Sequence, residues 1–373
     1  MDAIKMFDRT KPYNNLPLLP PKEDIIDKDI LLEWGLASRN LAELNKNLYR
    51  LPNPAMLINT LTLQEAKSSS EIENIFTTED ELYKAVSDSL KEENASPNTK
   101  EVLRYREALW AGYNNIQDKK EVSLTTILQV YQKVKNTTQE LRSPQSQVVI
   151  RRGNSDLRAG EIIYIPPRGE TILKELINNF IKYLADNKEY NTDPLLKMAI
   201  AHYQFEAIHP FSDGNGRTGR IINLLYLVNQ NLLSQPVLYL SKYIIENKDD
   251  YYFKLGAVTQ RGEWKPWLLY MMKAVQDTAL YTNHLIDEIV LQMDATLEYG
   301  KEKLKWYNKE INEALFMQPY IKPKLLGDIL ERSSRTTLSK YMQELTKLGI
   351  LSPKQDGKEV YYLNNDLIRI LEG

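Results

Sequence analysis

Residues 208 to 220 read IHPFSDGNGRTGR, crowding one histidine, one carboxylate, one asparagine, three glycines and two arginines into thirteen positions. Glycines such as Gly214 and Gly216 let backbone amides approach an anion closely, and the first turn of a helix adds unpaired N–H groups and a positive dipole end. An apolar helical pattern begins near Arg217, so the stretch predicts a phosphate-binding loop feeding a helix N-terminus. Arg217 and Arg220 stand three apart on that first turn, where both can fork onto one polyphosphate. Asp213 is the loop's one carboxylate, and one carboxylate beside phosphates suits magnesium. His209 is the group there that can accept a proton near neutral pH. Base, metal and polyphosphate cradle together predict attack by a hydroxyl on a nucleotide phosphorus.

GNGRTG matches the dinucleotide fingerprint in form, but a helical pattern precedes it, and the position 20 past Gly219 is Tyr239, with no acid close by. The lysine strand and catalytic loops of a kinase do not follow it. Singly, a histidine at a helix end is more often a cap and Gly-Asn-Gly more often a turn. An apolar Phe211 able to anchor the loop, with six polar or glycine positions in fixed order, is hard to explain as a turn. His202 and His284 lie in no recognisable constellation and read as structural, although His202 is on the helix leading into the loop.

The elements that must hold this loop are mostly helical. A proline-rich opening, KPYNNLPLLPPKEDI, predicts an extended surface arm. From about Asp27 to Tyr131 apolar residues recur at helical spacing, broken at PNP and EENASPNTK. Residues 147 to 168 switch to two β-branched runs around a polar turn, which predicts a hairpin ending at Pro166 and Pro167. Helices resume over ETILKELINNFIKYLADN and DPLLKMAIAHYQFEAI, and again after the loop. The last fifty or so residues read as helix, turn, helix and a two-stranded wing turned at Asp356-Gly357.

Composition sets the bounds. At 373 residues two or three folded units are expected, and a net charge of −2 gives no global attraction to nucleic acid or anionic membrane. Cysteine is absent, which excludes disulfides, thiolate zinc sites and cysteine nucleophiles and suits a cytoplasmic setting. The opening residues carry charges where a secretion signal needs an apolar core, and no apolar run reaches a membrane span.

HPFSDGNGRTGR resembles the signature H-x-F-x-[DE]-G-N-G-R-x-x-R of the Fic family at every defined position, and the arm, hairpin and tail extend the resemblance over most of the chain. The resemblance implies a mainly α fold: a Fic helical core with a β-hairpin flap and a C-terminal winged helix-turn-helix domain. The expected divisions are 1–100 for the arm and an inhibitory helical region, 101–300 for the catalytic core and 301–373 for the winged helix. It implies adenylyl transfer from ATP to a Ser, Thr or Tyr hydroxyl of a target protein. His209 would be the base and Asp213 the Mg2+ ligand. Asn215, with the amides of Gly214 and Gly216, would hold the α- and β-phosphates, and Arg217 and Arg220 the outer ones. Tyr164, Ile165 and Pro166 would form the flap that holds the target by strand addition, and Tyr251 and Tyr252 would lie near the adenine.

Upstream, SSSEIENIF places Ser69 and Glu73 four apart on a predicted helix over about 60–75. Alone this is a solvated turn. Beside the Fic signature, Ser69, Glu73 and Asn74 resemble the family's inhibitory sequence [ST]-x-x-x-E-[GN], implying that Glu73 occupies the Arg220 fork and that the protein inhibits and modifies itself. Other readings stay open: a reverse, AMP-removing activity, transfer of another nucleotide or group, or a DNA-binding regulator. Residues 321 to 373 hold nine Lys or Arg against seven acids, a weak +2 for DNA despite Arg335 and Lys340, so a protein dock is favoured. A homodimer is a further expectation of the resemblance.

Overall fold

The computed structural model describes residues 7–22, 25–51, 54–87, 92–151, 160–329 and 334–372. Helices dominate, and several begin where the sequence supplies a side-chain cap. α1 (Lys28–Asn47) starts at Asp27, whose side chain accepts the Asp29 and Ile30 amides. α2 (Pro54–Ile72) and α3 (Glu79–Ser87) follow. α4 (Pro97–Lys119) has Ser96 as its cap and Pro97 in its first turn, where the missing N–H costs nothing. α5 (Leu124–Lys135) opens on a capping box between Ser123 and Thr126. After the hairpin strands β1 (Ile150–Arg151) and β2 (Ile162–Tyr164) come α6 (Glu170–Ala185), α7 (Pro194–Ile208) and α8 (Asn215–Asn229).

α7 and α8 form the centre. Both are buried almost all round, as expected of helices whose apolar residues do not keep to one stripe. α4 and α5 pack as a pair on one side of α8, α6 lies on α7, and α2 runs between α4 and α9 (Leu240–Glu246). α10 (Lys248–Arg261) leads into α11 (Trp264–Lys303), a 40-residue helix along which α1 lies for much of its length. The arm runs over α6 and α7: Leu19 N–H donates to Asn179, Gln204 donates to the Pro17 carbonyl, and Tyr13 N–H donates to the Ile165 carbonyl.

α2 is held by polar contacts inside the core. The Glu65 carboxylate accepts from Tyr105 and from both the amide and the hydroxyl of Ser241, Ser68 bonds the Tyr239 hydroxyl, and Gln64 donates to Tyr83. These partners come from α3, α4 and the start of α9, so the position of α2 is fixed on three sides.

The C-terminal unit comprises α12 (Lys309–Leu315), β3 (Tyr320–Ile321), α13 (Pro323–Ile329), α14 (Arg335–Lys347), β4 (Ser352–Asp356), β5 (Glu359–Leu363) and α15 (Asn365–Glu372). Its strands form one antiparallel sheet in the order β3-β5-β4. The sequence pattern missed β3, which is two residues long, and α15. The wing turns at Gly357 and Lys358, one residue later than expected, because Asp356 still pairs with Glu359. The unit is pinned to α3 through Asp80, which accepts from Tyr320 and Lys354, and stacks Trp306 on Tyr341 with ring centroids 3.8 Å apart. The hairpin strands pair Ile150 with Tyr164 and Arg151 with Ile162; most of the polar turn predicted between them lies outside the described residues.

Candidate active site

The loop between α7 and α8 gathers the motif. Phe211 is fully buried and its ring stacks on Tyr131 of α5, centroids 3.8 Å apart and planes within 3°. Gly214 is the N-cap of α8 with φ +78°, a conformation that a side chain resists, and an added Cβ would also fall 2.9 Å from the Lys135 stem. α8 therefore starts at Asn215, two residues before the predicted start. Asn215, expected to hold phosphates, is buried with its amide turned back into the loop. Its Oδ1 accepts from Phe211 N–H at 2.8 Å and its Nδ2 donates to the Phe211 carbonyl at 2.9 Å, closing the turn.

His209 caps α7 in the left-handed region, φ 51°. Its Nδ1 lies 3.4 Å from the Glu206 carbonyl. A carbonyl only accepts, so the neutral ring carries its hydrogen on Nδ1 and leaves the Nε2 lone pair free. Burial lowers the His209 pKa to about 4, against the effect of that hydrogen bond, which keeps the ring neutral at pH 7. Arg142, which carried no sequence signal, clamps this corner. Its guanidinium donates to the carbonyls of His209 at 2.8 Å, Pro167 at 2.5 Å and Ile208 at 3.3 Å, and its N–H donates to Pro210 O at 2.9 Å.

The two arginines do not share one fork. Arg217 and Arg220 are both buried, but Arg217 pairs with Glu101 of α4 at 2.7 Å, whereas Arg220 turns to α2. Arg220 donates from Nε to Ser69 Oγ, and from Nη2 to the Ser69 carbonyl and to Glu73 Oε1, each at 2.8 Å. Glu73 is not on the helix, as predicted, but in the turn just beyond it. Asn74, with φ 62°, ends α2, and its conformation explains why this position favours glycine or asparagine. The turn carries the Glu73 carboxylate onto the first turn of α8: a Cβ built on Gly216 would fall 2.2 Å from Glu73 Oε1. A carboxylate thus occupies the helix terminus whose amides lack intrahelical partners.

Asp213 is largely exposed and accepts from Lys135 at 2.5 Å. Burial of its inner part works to raise its pKa, but the hydrogen bond and charge of Lys135 prevail and hold it below the usual range. Among the described residues no group of three or more His, Asp or Glu could hold a metal. Glu206, on α7 two residues before the motif and without a sequence signal of its own, is half-buried with Oε1 unpartnered, and burial pushes its pKa up to about 8 against the Arg220 charge. The tyrosine pair separates. Tyr251 is buried in an aromatic cluster with Trp267 and Tyr270, and its hydroxyl meets His202 Nε2 at 2.9 Å, so His202 is a structural partner. Tyr252 is the exposed one of the two. In the flap, Tyr164 points inward and donates to the Ala207 carbonyl at 2.7 Å, and Ile165 and Pro166 are also buried.

A histidine ending one buried helix, followed by a glycine-rich turn opening the next, defines the core as a Fic-type helical domain. The family comparisons agree, and the chain belongs to the Fic/DOC family. A profile described as Fic/DOC family N-terminal matches residues 31–114, one described as Fic/DOC family matches 121–227, and the C-terminal domain of the SoFic-like protein adenylyltransferases matches 292–367. Protein adenylyltransferase fic-1 of Caenorhabditis elegans is 24% identical over 84% of this chain and 56% of its own length. A probable protein adenylyltransferase of Aquifex aeolicus is 30% identical over 49% of this chain and 53% of its own. The chain therefore spans about half the length of these relatives. A Fic family protein from Desulfovibrio desulfuricans G20 has a similar structure, with TM-score 0.56 and 19% identity over 92% of this chain and 98% of that one. No helix among the described residues is long and apolar enough to cross a membrane.

The stacked pair of Phe211 and Tyr131 sets the height of the loop, so Phe211→Ala is expected to cost about 3–5 kcal/mol of stability. A urea unfolding midpoint that drops at unchanged slope checks this; an unchanged midpoint contradicts it.

Proposed function

We propose that the protein is an adenylyltransferase moving AMP from ATP to a Ser, Thr or Tyr hydroxyl of a protein target, and that Glu73 restrains it. The observation carrying the restraint is the Glu73 carboxylate seated on Arg220 over the first turn of α8. Relatives named protein adenylyltransferase and the SoFic-like C-terminal profile support the activity. The cysteine-free composition suits a cytoplasmic reaction.

A carboxylate and a γ-phosphate make the same forked demand on a guanidinium. With Glu73 in place, ATP enters only in a pose unsuited to transfer. Once Glu73 leaves, Arg220 takes the γ-phosphate, still positioned by Ser69, and the Gly216 and Arg217 amides face the inner phosphates. Arg217, tethered by Glu101, supplies fixed positive charge from within the core. Asn215 acts one step back by holding the loop closed on Phe211. His209 Nε2 then accepts the proton of the target hydroxyl as its oxygen bonds the α-phosphorus. The bond from that phosphorus to the bridging oxygen breaks, and pyrophosphate leaves.

The donor set fits magnesium. Asp213 is exposed, kept ionised and already accepts a cationic group, the Lys135 ammonium. An ion held by Asp213 and ATP would neutralise charge on the departing pyrophosphate. Tyr252, the accessible tyrosine, is the one of the pair that would meet the adenine. The flap at 162–166 steadies the target backbone, with the addition limited to residues before 165, because Tyr13 N–H already takes the Ile165 carbonyl. The C-terminal unit serves as a protein dock, and Lys340 leans toward Glu344 at 3.8 Å instead of standing as a free phosphate contact.

Intact-mass spectrometry after incubation with ATP and magnesium tests the reading. Glu73→Gly is expected to gain the mass of an adenylyl group, and the wild type and Glu73→Gly/His209→Ala are not. Equal modification of wild type and Glu73→Gly removes the restraint, and modification of the double variant removes His209 as base.

With burial depressing its pKa to about 4, His209 is already in its accepting form above roughly pH 5. The rate of Glu73→Gly should show no acid limb near pH 6.5 and should fall only as pH approaches 4. A His209-dependent limb centred near 6.5 would contradict the buried neutral base.

A further inference from the structure

Away from the motif, α2 to α5 and the segment entering the C-terminal unit enclose a cleft of about 640 Å3, the volume of a small organic ligand. Its polar lining includes Arg106, Glu107 and Asn114 of α4 and Lys133 of α5, and Trp110 and Tyr83 supply aromatic surface. Arg106 is half-buried and makes no hydrogen bond or ion pair among the described residues. A guanidinium stays charged at neutral pH, and burial outweighs the more distant charges of Glu92 and Glu107, so the desolvation of Arg106 is only partly offset. Glu107 and Lys133 are exposed and make no ion pair among the described residues, so the cleft lining itself carries two cations and one acid, with Glu92 the further acid whose charge reaches Arg106.

Three of the cleft's helices also hold the motif. α2 contributes Thr60 and Leu63 to the lining and, about 9 Å beyond Leu63 along its axis at 1.5 Å per residue, carries Ser69 on Arg220. α4 contributes Arg106 and, five residues earlier, Glu101 on Arg217. α5 contributes Lys133 and, two residues later, Lys135 on Asp213.

We propose that this cleft is an effector site for a small organic anion, a phosphate or carboxylate headgroup on an aromatic or apolar body, and that its occupancy is transmitted to the motif through α2, α4 and α5. Arg106 and Lys133 bind the headgroup, Trp110 packs the body, and Asn114 offers the remaining hydrogen bond. Binding stands independently of the activity proposed above; the transmission rests on the restraint by Glu73.

The test uses the full chain and an aromatic sulfonate, 8-anilinonaphthalene-1-sulfonate, as the probe. It should bind with one-to-one stoichiometry and weaken about tenfold in Arg106→Leu and less in Lys133→Ala. Lys133 is exposed, so that variant keeps the test open should Arg106→Leu fold poorly. Displacement by inorganic phosphate or by benzoate identifies the headgroup. Equal affinity in both variants, displacement by neither anion, or displacement by ATP with magnesium, which places the probe in the nucleotide cradle, overturns the site. Transmission is read by hydrogen exchange, without catalysis: amides over 69–75 should change protection when the probe binds wild type but not Arg106→Leu. Unchanged exchange there with the probe bound overturns the transmission and leaves the adenylyl-transfer reading untouched.

Discussion

A buried arginine at the start of a helix must have an anion. Arg220 sits on the second turn of α8 with almost no exposure, and its charge, the helix dipole and the unpaired amides of the first turn all favour negative charge at one point. Glu73 supplies it here. The same requirement makes the cradle suitable for a polyphosphate, because whatever replaces Glu73 must satisfy the same guanidinium. On the proposed reading, restraint and substrate binding are two occupants of one site.

Most of the surrounding structure keeps that choice local. α2 cannot drift, since Glu65, Ser68 and Gln64 tie it to α3, α4 and α9 inside the core. Ser69 therefore remains on Arg220, whereas Glu73 stands past the helix end on a turn whose left-handed Asn74 is followed by more exposed chain. The fixed and the releasable contacts to one arginine are four residues apart. On the other side, Arg142 holds the carbonyls of residues 208 to 210, and Phe211 locks into Tyr131, so the histidine and the loop keep their places whichever anion is bound.

The motif was legible because its chemistry needs particular residues in an unbroken run, and the positive-φ Gly214, the close-approach Gly216, anchor, base and arginines all lie within thirteen positions. Ser69 and Glu73 were legible only beside that run, since their spacing alone describes any solvated turn. What sequence could not show was where the arginine forks point. Glu101, Lys135 and Arg142 reach the loop from helices and turns some 67 to 116 residues away, and a single acid or base on an amphipathic helix has no pattern of its own. Helical periodicity likewise misassigned Glu73 by one residue, because the helix end is set by the Asn74 cap. The short strand β3 escaped because two residues make no alternation.

The central claim is that the Glu73 carboxylate stands in for the outermost phosphate of the nucleotide. Calorimetric titration of ATP and of ADP, each with magnesium, into His209→Ala and Glu73→Gly/His209→Ala measures this without turnover. If the claim holds, removing Glu73 raises affinity for ATP by about tenfold or more, as expected for a charge-assisted hydrogen bond regained, and changes ADP much less. Equal gains for ATP and ADP, or none for either, would mean that Glu73 and the γ-phosphate do not compete for Arg220.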